Sequence, residues 1–454
     1  IIRVEGDTRI LEEQPDPEIG GRKQTYGSID SLEKYWRHLP AVQFGTDGNG
    51  DPRWVHPVKA WTESRFAARF EGHIFDPAQK PGEAIYKDGR RRIRYYNKWQ
   101  GYQVRAKQGP AAGNYLTFAD HIWRNVAGEN EEFFVYVWSW LAETVRHPEG
   151  GPQTLLALLS EEKGTGKSTV GDVLAEIFGP HYLMGSDKEM ITGKFNSHLE
   201  TKAAMQLDEG IFGGDKAAGE ALRAIITQDR IRIEPKGIDS YQARNYAGKS
   251  ILVTTNSRWV LPTDVSNRRH VAFEVGTGNQ QDGWFFGQLW DELKNGGLEA
   301  LLYHWLYEWP IEVDFQRHIP DTHALAEQKL NNLTPAQQWL VDAILEHRSM
   351  RVFAPEGAQA HEWSEGEIVL DRDRVVESVH EYAKQYNRGA RHLPTKKEIV
   401  QAWKELVTVS NTKRSNRNVW RLPRRDTAQA EIEENLGVSL EEEDQQEQVN
   451  KYEF

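Results

Sequence analysis

Thr154-Leu-Leu-Ala-Leu-Leu159, Ser160-Glu-Glu-Lys-Gly-Thr-Gly-Lys-Ser168 and Thr169-Val-Gly-Asp-Val-Leu-Ala-Glu-Ile-Phe178 follow one another without a break. The first is a short apolar run of the kind a buried strand needs, the second is a glycine-rich turn, and the third has helical spacing. Strand, glycine-rich turn and helix in that order make a phosphate-binding loop. Successive backbone N–H groups and the helix N-terminus then face the β- and γ-phosphates of a nucleotide. The expected nucleotide-binding residues are Lys163, Gly164, Thr165, Gly166, Lys167, Ser168 and Thr169. Lys167 adds a point charge, and the Ser168 hydroxyl is placed to ligate Mg²⁺. ATP and Mg²⁺ are therefore the expected cofactors. The loop departs from G-x-x-x-x-G-K-[ST] at one place, where Glu161 replaces the first glycine. That position opens the loop and does not touch phosphate. A bland glycine-rich turn is the alternative, and the flanking strand and helix argue against it.

A phosphate loop says only that a nucleotide binds; the segments downstream narrow the class. Ala203-Ala-Met-Gln-Leu-Asp208-Glu209 is an apolar run ending in two acids. It reads as a strand that delivers Asp208 to hold Mg²⁺ through water and Glu209 to orient and deprotonate the attacking water. A solvated acidic turn is the plainer alternative. Ala221–Thr227 is amphipathic, and Ile231–Asn245 reads as two short strands around a turn at Pro235-Lys-Gly237. Lys236 and Gly237 at the tip, with Arg232 and Arg244 on the flanks, suit contact with a nucleic-acid backbone. An ordinary surface hairpin is the rival reading. Ser250-Ile-Leu-Val-Thr-Thr-Asn256 is a further core strand, and Asn256 at its end can sense the γ-phosphate. Asn267-Arg-Arg269 then offers Arg268 or Arg269 to a neighbouring subunit's nucleotide, where it would stabilise transition-state charge. Either arginine could instead form an interface salt bridge. Lys167, Glu209, Asn256, Arg268 and Arg269 make the expected catalytic set.

The rest of the chain gives context. Its 454 residues suffice for two to four domains. It is 38% hydrophobic and 27% charged, with no apolar run of the roughly 20 residues a membrane span needs. No signal-peptide pattern is present, so no membrane partner is expected, and the cytoplasm is the expected location (the host's cytoplasm if the protein is viral). Zero cysteines exclude disulfides and thiolate zinc sites. The net charge of −12 argues against nucleic acid as a partner, but it is unevenly spread. Asp371 to Arg425 holds 14 Lys/Arg against 6 Asp/Glu, whereas Asp426 to Phe454 holds 10 acidic residues against Lys451 alone.

The expected organisation is α/β. A linker at 1–27 precedes a mixed α+β region at 28–115, which carries the basic run Arg90-Arg-Arg-Ile-Arg94. A helical segment at 116–152 leads into the P-loop core at 153–276. A helical region at 277–365, a basic winged-helix-like module at 366–425 and an acidic tail at 426–454, expected to be disordered from Glu441 onward, complete the chain. Trp36, Trp54, Trp61 and Trp99 read as core packing ahead of base-stacking platforms. Lys396, Lys397, Lys413, Arg414, Arg417 and Arg421 form either a DNA grip or a solvated basic face.

The motif order resembles that of superfamily 3 helicases, and more narrowly the helicase half of phage and plasmid primase-helicases, related to the poxvirus-type ATPase. The resemblance is carried by Glu161 to Ser168, Leu207-Asp-Glu209, Ile233-Glu-Pro-Lys-Gly237, Thr254-Thr-Asn256 and Asn267-Arg-Arg269. Tyr96-Asn-Lys-Trp99 and Thr192-Gly-Lys-Phe-Asn196 are weaker phrases of the same group. The resemblance implies an AAA+-like fold, a homo-hexameric ring, ATP sites between subunits and translocation of single-stranded DNA through a pore. The expected function is thus an ATP-dependent replicative DNA helicase of a phage or mobile element. An RNA-directed viral-type ATPase and a non-translocating, ATP-gated origin-binding or scaffold protein are the alternatives. Relatives often carry a primase-polymerase N-terminally. Residues 1–115 hold no paired-acid primase motif, and Asp47 and Asp51 shape a turn. A primase is therefore expected upstream of Ile1, if at all, with the chain a fragment of something longer.

Overall fold

The computed structural model describes residues 1–4, 7–17, 21–109, 113–186, 193, 196–209, 216–234, 240–257, 269–355, 362–386, 393–414, 417–437 and 440. The chain divides into two compact units. The first comprises 1–210, 220–256 and 275–318, and the second 211–219, 257–274 and 319–454.

A five-stranded sheet forms the centre of a P-loop-like core. Its strands are β1 (Thr154–Leu159), β2 (Tyr182–Gly185), β3 (Ala204–Asp208), β4 (Ser250–Thr255) and β5 (His270–Glu274), in the order β2-β3-β4-β1-β5. β2, β3, β4 and β1 pair in parallel. β1 and β4 are buried at every position, which explains the unalternating apolar runs Leu155–Leu159 and Ile251–Val253. β4 lies between the phosphate-loop strand and the acidic strand, with Thr254 opposite Asp208 on one side and Thr255 opposite Leu159 on the other. The carboxyl ends of three strands therefore meet at one edge, where the strand order switches direction and open α/β sheets bind ligands. The helix after the loop, Lys167–Phe178, buries Val170, Val173, Leu174, Ile177 and Phe178 on its inner face.

Helices flank this core in the first unit. Glu131–Arg146, in the segment expected to be helical, is capped by Asn130 and buries Val137, Trp140 and Leu141. Its aromatic face packs on the turn at His304–Glu308, with Trp138 and Trp305 centroids 5.4 Å apart. The Arg146 Nε donates to the Trp305 carbonyl at 3.0 Å.

The N-terminal part corrects two expectations. Residues expected to be a linker contain strands Ile2–Val4, Asp7–Pro15 and Arg22–Gly27 in one antiparallel sheet. β-Propensity is low in this polar stretch, and pairing between its own segments supplies the order. Of the four tryptophans assigned to the core, only Trp99 is buried, whereas Trp36, Trp54 and Trp61 are exposed. Asn97, in the Tyr96–Trp99 phrase, is a buried staple. Its Oδ1 accepts from the Asp76 and Trp99 amides, and its Nδ2 donates to the Asp76 and Lys80 carbonyls.

His181, just before β2, gives the fold a pH dependence. Its Nε2 accepts from the Gln100 amide at 2.9 Å, so the Nδ1–H donates to the Thr201 carbonyl at 2.9 Å and the ring is neutral. Burial pushes its pKa down to about 4. Between that value and the usual 6.5 the unfolded chain binds the proton and the folded chain does not. This group's stabilising contribution is complete above pH 6.5 and is lost as the pH falls toward 4, by about 3 kcal/mol. In thermal melts, His181→Gln should lower the midpoint at neutral pH and flatten its decline between pH 6.5 and 4.5. An unchanged slope would contradict this account.

The second unit contains helices His323–Asn331 and Pro335–Leu345, then strand Ile368–Asp371, helices Arg372–Tyr386 and Lys396–Lys404, and strands Ser410–Arg414 and Arg417–Leu422. The three strands form an antiparallel sheet with Arg417–Leu422 in the middle. Trp339, Trp403 and Trp420 are fully buried together, the first two stacked at 5.5 Å. The acidic tail does not begin at Asp426 as expected. Helix Arg425–Leu436 seats Ala428, Ile432 and Leu436 in this core, on a fourfold apolar spacing inside an acidic sequence. Residues 441–454 lie outside the described residues. No helix among the described residues is long and apolar enough to cross a membrane.

Candidate active site

The phosphate loop needs two backbone conformations that favour glycine. Gly164 has φ +79° and Gly166, at the helix N-cap, φ +86°. Gly166 also has no room for a side chain, since a Cβ there would meet Phe286 at 2.5 Å and His121 at 2.6 Å. Neighbouring segments hold the carbonyl side of the loop. The His121 Nε2 lies 3.1 Å from the Gly166 carbonyl, the Gln281 amide donates to the Gly164 carbonyl at 2.8 Å, and the Gln280 Nε2 donates to the Glu162 carboxylate at 2.9 Å. The Gly164 and Gly166 carbonyls are thus bonded to neighbouring segments. Thr165 Oγ1 is buried with no hydrogen-bond partner among the described residues, Ser168 is half-buried, Thr169 is buried and Lys163 is exposed.

Lys167 is 7% exposed, and its Nζ donates to Asn256 Oδ1 at 2.6 Å and to the Glu162 carbonyl at 3.2 Å. Burial lowers its pKa, while the Asp208 and Glu209 carboxylates push it back up. On β3, Gln206 Nε2 donates to Thr254 Oγ1 at 3.1 Å, and that hydroxyl donates to Asp208 Oδ1 at 2.7 Å. The buried chain from Gln206 through Thr254 fixes one carboxylate oxygen of Asp208. Glu209 has φ +53°, a left-handed conformation that costs a non-glycine residue about 1 kcal/mol or more. Its amide donates to the Thr254 carbonyl at 2.7 Å, which holds the turn, and its side chain is exposed.

Several contributors escaped sequence reasoning. Asp172 follows Ser168 by one helical turn, and burial first, then Asp208 and Glu176, raises its pKa. His121 and Asn125 are a polar i, i+4 pair on an otherwise apolar helical segment, which was their only sequence signal. Asn196, which the sequence offered only as the end of a weak family phrase, braces the downstream hairpin. Its Nδ2 donates to the Arg232 carbonyl at 2.8 Å, and its Oδ1 accepts from the Glu234 amide at 2.9 Å.

The hairpin pairs Arg230–Ile233 with Tyr241–Arg244, with Arg232 and Arg244 exposed on its strands. Arg232 Nε contacts Ser240 Oγ at 2.9 Å and Glu234 at 3.1 Å. Lys236, Gly237 and Arg268 lie outside the described residues, and Arg269 stands half-buried immediately before β5.

Donors near the loop are oxygens of Ser168, Asp172 and Asp208, a hard set suited to Mg²⁺. Among the described residues no group of three or more His, Cys, Asp or Glu could hold a metal ion.

The buried Gln206 links the helix to this site. A Cβ on Gly171 would come within 1.7 Å of Gln206 Oε1 and 2.4 Å of its Cδ. Gly171→Ala should therefore displace Gln206, free Thr254 and loosen Asp208, at a cost of about 1–3 kcal/mol in stability. Wild-type melting in the variant would contradict this coupling.

A family of unknown function (DUF5906) matches residues 158–269, the stretch from the phosphate loop to Arg269. A curated relative, a DNA primase-polymerase of Nitratiruptor phage NrS-1, is 24% identical over 163 residues, which are 35% of this chain. The matched part spans only 22% of that relative's length. The apo structure of the NrS-1 C-terminal region has the same fold, with a TM-score of 0.56 at 14% identity over 91% of this chain and 95% of that one. The A form apo structure of that region gives 0.55 at 15% identity, covering 91% and 96%.

Proposed function

We propose that this chain is the ATP-driven helicase part of a phage- or plasmid-type primase-helicase, moving along single-stranded DNA. The observation that carries the proposal is the convergence at one sheet edge of Lys167 on Asn256, Asp208 on Thr254, and the strained Glu209. That set serves hydrolysis of a phosphoanhydride. The fold shared with the NrS-1 C-terminal region and the sequence likeness to a phage primase-polymerase support the biological setting.

In this reading the loop amides and Lys167 hold the β- and γ-phosphates. Lys167 exchanges its Asn256 contact for phosphate, which releases the Asn256 amide to read the γ-phosphate or the attacking water. Glu209 orients that water and takes its proton. Ser168 and Asp208 would hold Mg²⁺, which neutralises phosphate charge when bound. Arg268 or Arg269 completes the site of a neighbouring subunit in a superfamily 3, AAA+-like ring, and the hairpin bearing Arg232, Lys236, Gly237 and Arg244 moves against DNA in its pore. The strand-helix-helix-hairpin order of the second unit suits a winged-helix-like grip on DNA, with exposed Lys397 among its cations.

Steady-state ATP hydrolysis measured with and without single-stranded DNA tests the proposal, together with displacement of a labelled strand from a forked duplex. DNA-stimulated hydrolysis with displacement is the expected result. Hydrolysis indifferent to DNA would leave an ATPase but overturn the motor, and stimulation by poly(U) in preference to poly(dT) would move the substrate to RNA.

A further inference from the structure

The basic run in the N-terminal region has no part in nucleotide chemistry. It lies on the hairpin formed by Ala84–Asp88 and Arg91–Asn97, in which Lys87 pairs with Arg92 and Ile85 with Arg94 on one face. Between residues 80 and 94 there are six Lys/Arg against Glu83 and Asp88, in a chain of net charge −12. Arg91, Arg92 and Arg94 line a cleft of about 340 Å³, with Arg69 and Phe70 on its wall.

These cations are held but not consumed. Arg94 packs its guanidinium 5.3 Å from the Phe70 ring centroid and contacts Glu83 at 2.6 Å, while Arg91 contacts Glu71 at 3.2 Å. Both ion pairs are exposed, so each carboxylate is readily exchanged for a phosphate. Arg92 is exposed and has no ion pair among the described residues.

Exposed aromatic rings lie on an adjoining segment, with the Arg65 guanidinium 4.9 Å from the Phe66 ring centroid. Arg69 ties the two features together by donating to the Thr62 carbonyl at 2.6 Å and the Ser64 carbonyl at 3.1 Å. Trp61 and Phe66 flank that pair of residues, and Trp54 precedes them on the strand Pro52–Val55. Trp54 is 63% exposed and Phe66 81%, values at which burial cannot account for an aromatic side chain.

We propose that this surface binds single-stranded DNA outside the ATPase core, with phosphates in the arginine cleft and bases stacked on Trp54, Trp61 and Phe66. Cationic groove plus aromatic platform is the chemistry that recognises unpaired nucleotides, since bases within a duplex offer no free face to stack. Glu71 and Glu83 swing away from Arg91 and Arg94 as phosphates arrive. The surface gives the 28–115 region a role in delivering the strand, and it works without hydrolysis.

The test is fluorescence anisotropy of labelled oligo(dT) with the full chain and no nucleotide. Arg92→Ala, Trp54→Ala and Phe66→Ala should each weaken binding about tenfold. The combined change of Arg91, Arg92 and Arg94 to alanine should also flatten the salt dependence. ATP hydrolysis without DNA should be unchanged in all of them. Cross-linking of iododeoxyuridine-substituted oligonucleotide should label the peptide that spans Trp54 to Phe66. Lys167→Ala should bind oligo(dT) as the wild type does, so loss of hydrolysis and loss of this surface are separable. Wild-type affinity in the aromatic and arginine variants, cross-links confined to other regions, or preference for duplex would each overturn the proposal.

Discussion

Glu209→Gln is expected to bind ATP with near wild-type affinity and to hydrolyse it roughly 10²–10⁴-fold more slowly, the usual contribution of a positioned general base. The substitution is nearly isosteric. It also leaves the left-handed φ of +53° and the amide contact to the Thr254 carbonyl in place, so the turn keeps its geometry. What is lost is a carboxylate at the mouth of the site. Single-turnover hydrolysis beside equilibrium nucleotide binding separates the two effects. A variant that binds but does not turn over supports Glu209 as the base. Turnover within a few-fold of wild type would move the base to another group, and Asp172, raised in pKa beside Asp208, would be the first to examine.

Lys167→Ala is expected to lose both binding and turnover, with hydrolysis lower by about 10³-fold, the scale of losing a preorganised charge from a phosphate site. The ammonium is already desolvated and aimed across the sheet edge, 2.6 Å from Asn256 Oδ1. Little reorganisation then separates the free site from the one that holds phosphate. Without it, the buried cation at the sheet edge no longer offsets Asp208 and Glu209 as phosphate enters, so affinity falls along with rate. Melting curves read this directly. Wild-type protein at a hundredfold excess of ATP over its Kd should gain about 2.7 kcal/mol, whereas the variant should gain nothing. An ATP-dependent rise that survives in the variant would place the nucleotide elsewhere. The variant without nucleotide should melt close to wild type, because removing a buried charge offsets the lost contact to Asn256.

How much was legible in the sequence differed sharply between elements. β1 and the Ile251–Val253 centre of β4 could be read because strands buried on both faces favour apolar residues without alternation. The loop could be read because positive φ at Gly164 and Gly166 restricts the residue choice at those positions. The N-terminal strands were not legible. Their residues are largely polar, and their order comes from pairing partners such as Leu11 with Tyr26, which no local pattern announces. Trp36, Trp54 and Trp61 were assigned to the core because aromatic residues are buried more often than not, yet exposure depends on what the rest of the chain places over them. Helix Arg425–Leu436 was lost in the acidic composition of its solvent face, although Ala428, Ile432, Leu436 and Leu440 carried the signal.

The sequence by itself determined the chemistry available here: a phosphate loop, an acidic strand end and an asparagine strand end, each set by strictly local demands on backbone shape or burial. Only the tertiary structure decided how these meet. Inserting β4 between β1 and β3 brings Asn256 onto Lys167 and Thr254 onto Asp208, contacts across 89 and 46 residues of chain. It also set His121 and Gln281 against the outside of the loop, from segments that local patterning does not connect to it. Local steric and hydrophobic rules act over a few residues. Strand order and side-chain registration arise from packing the whole core at once, and no single segment encodes them.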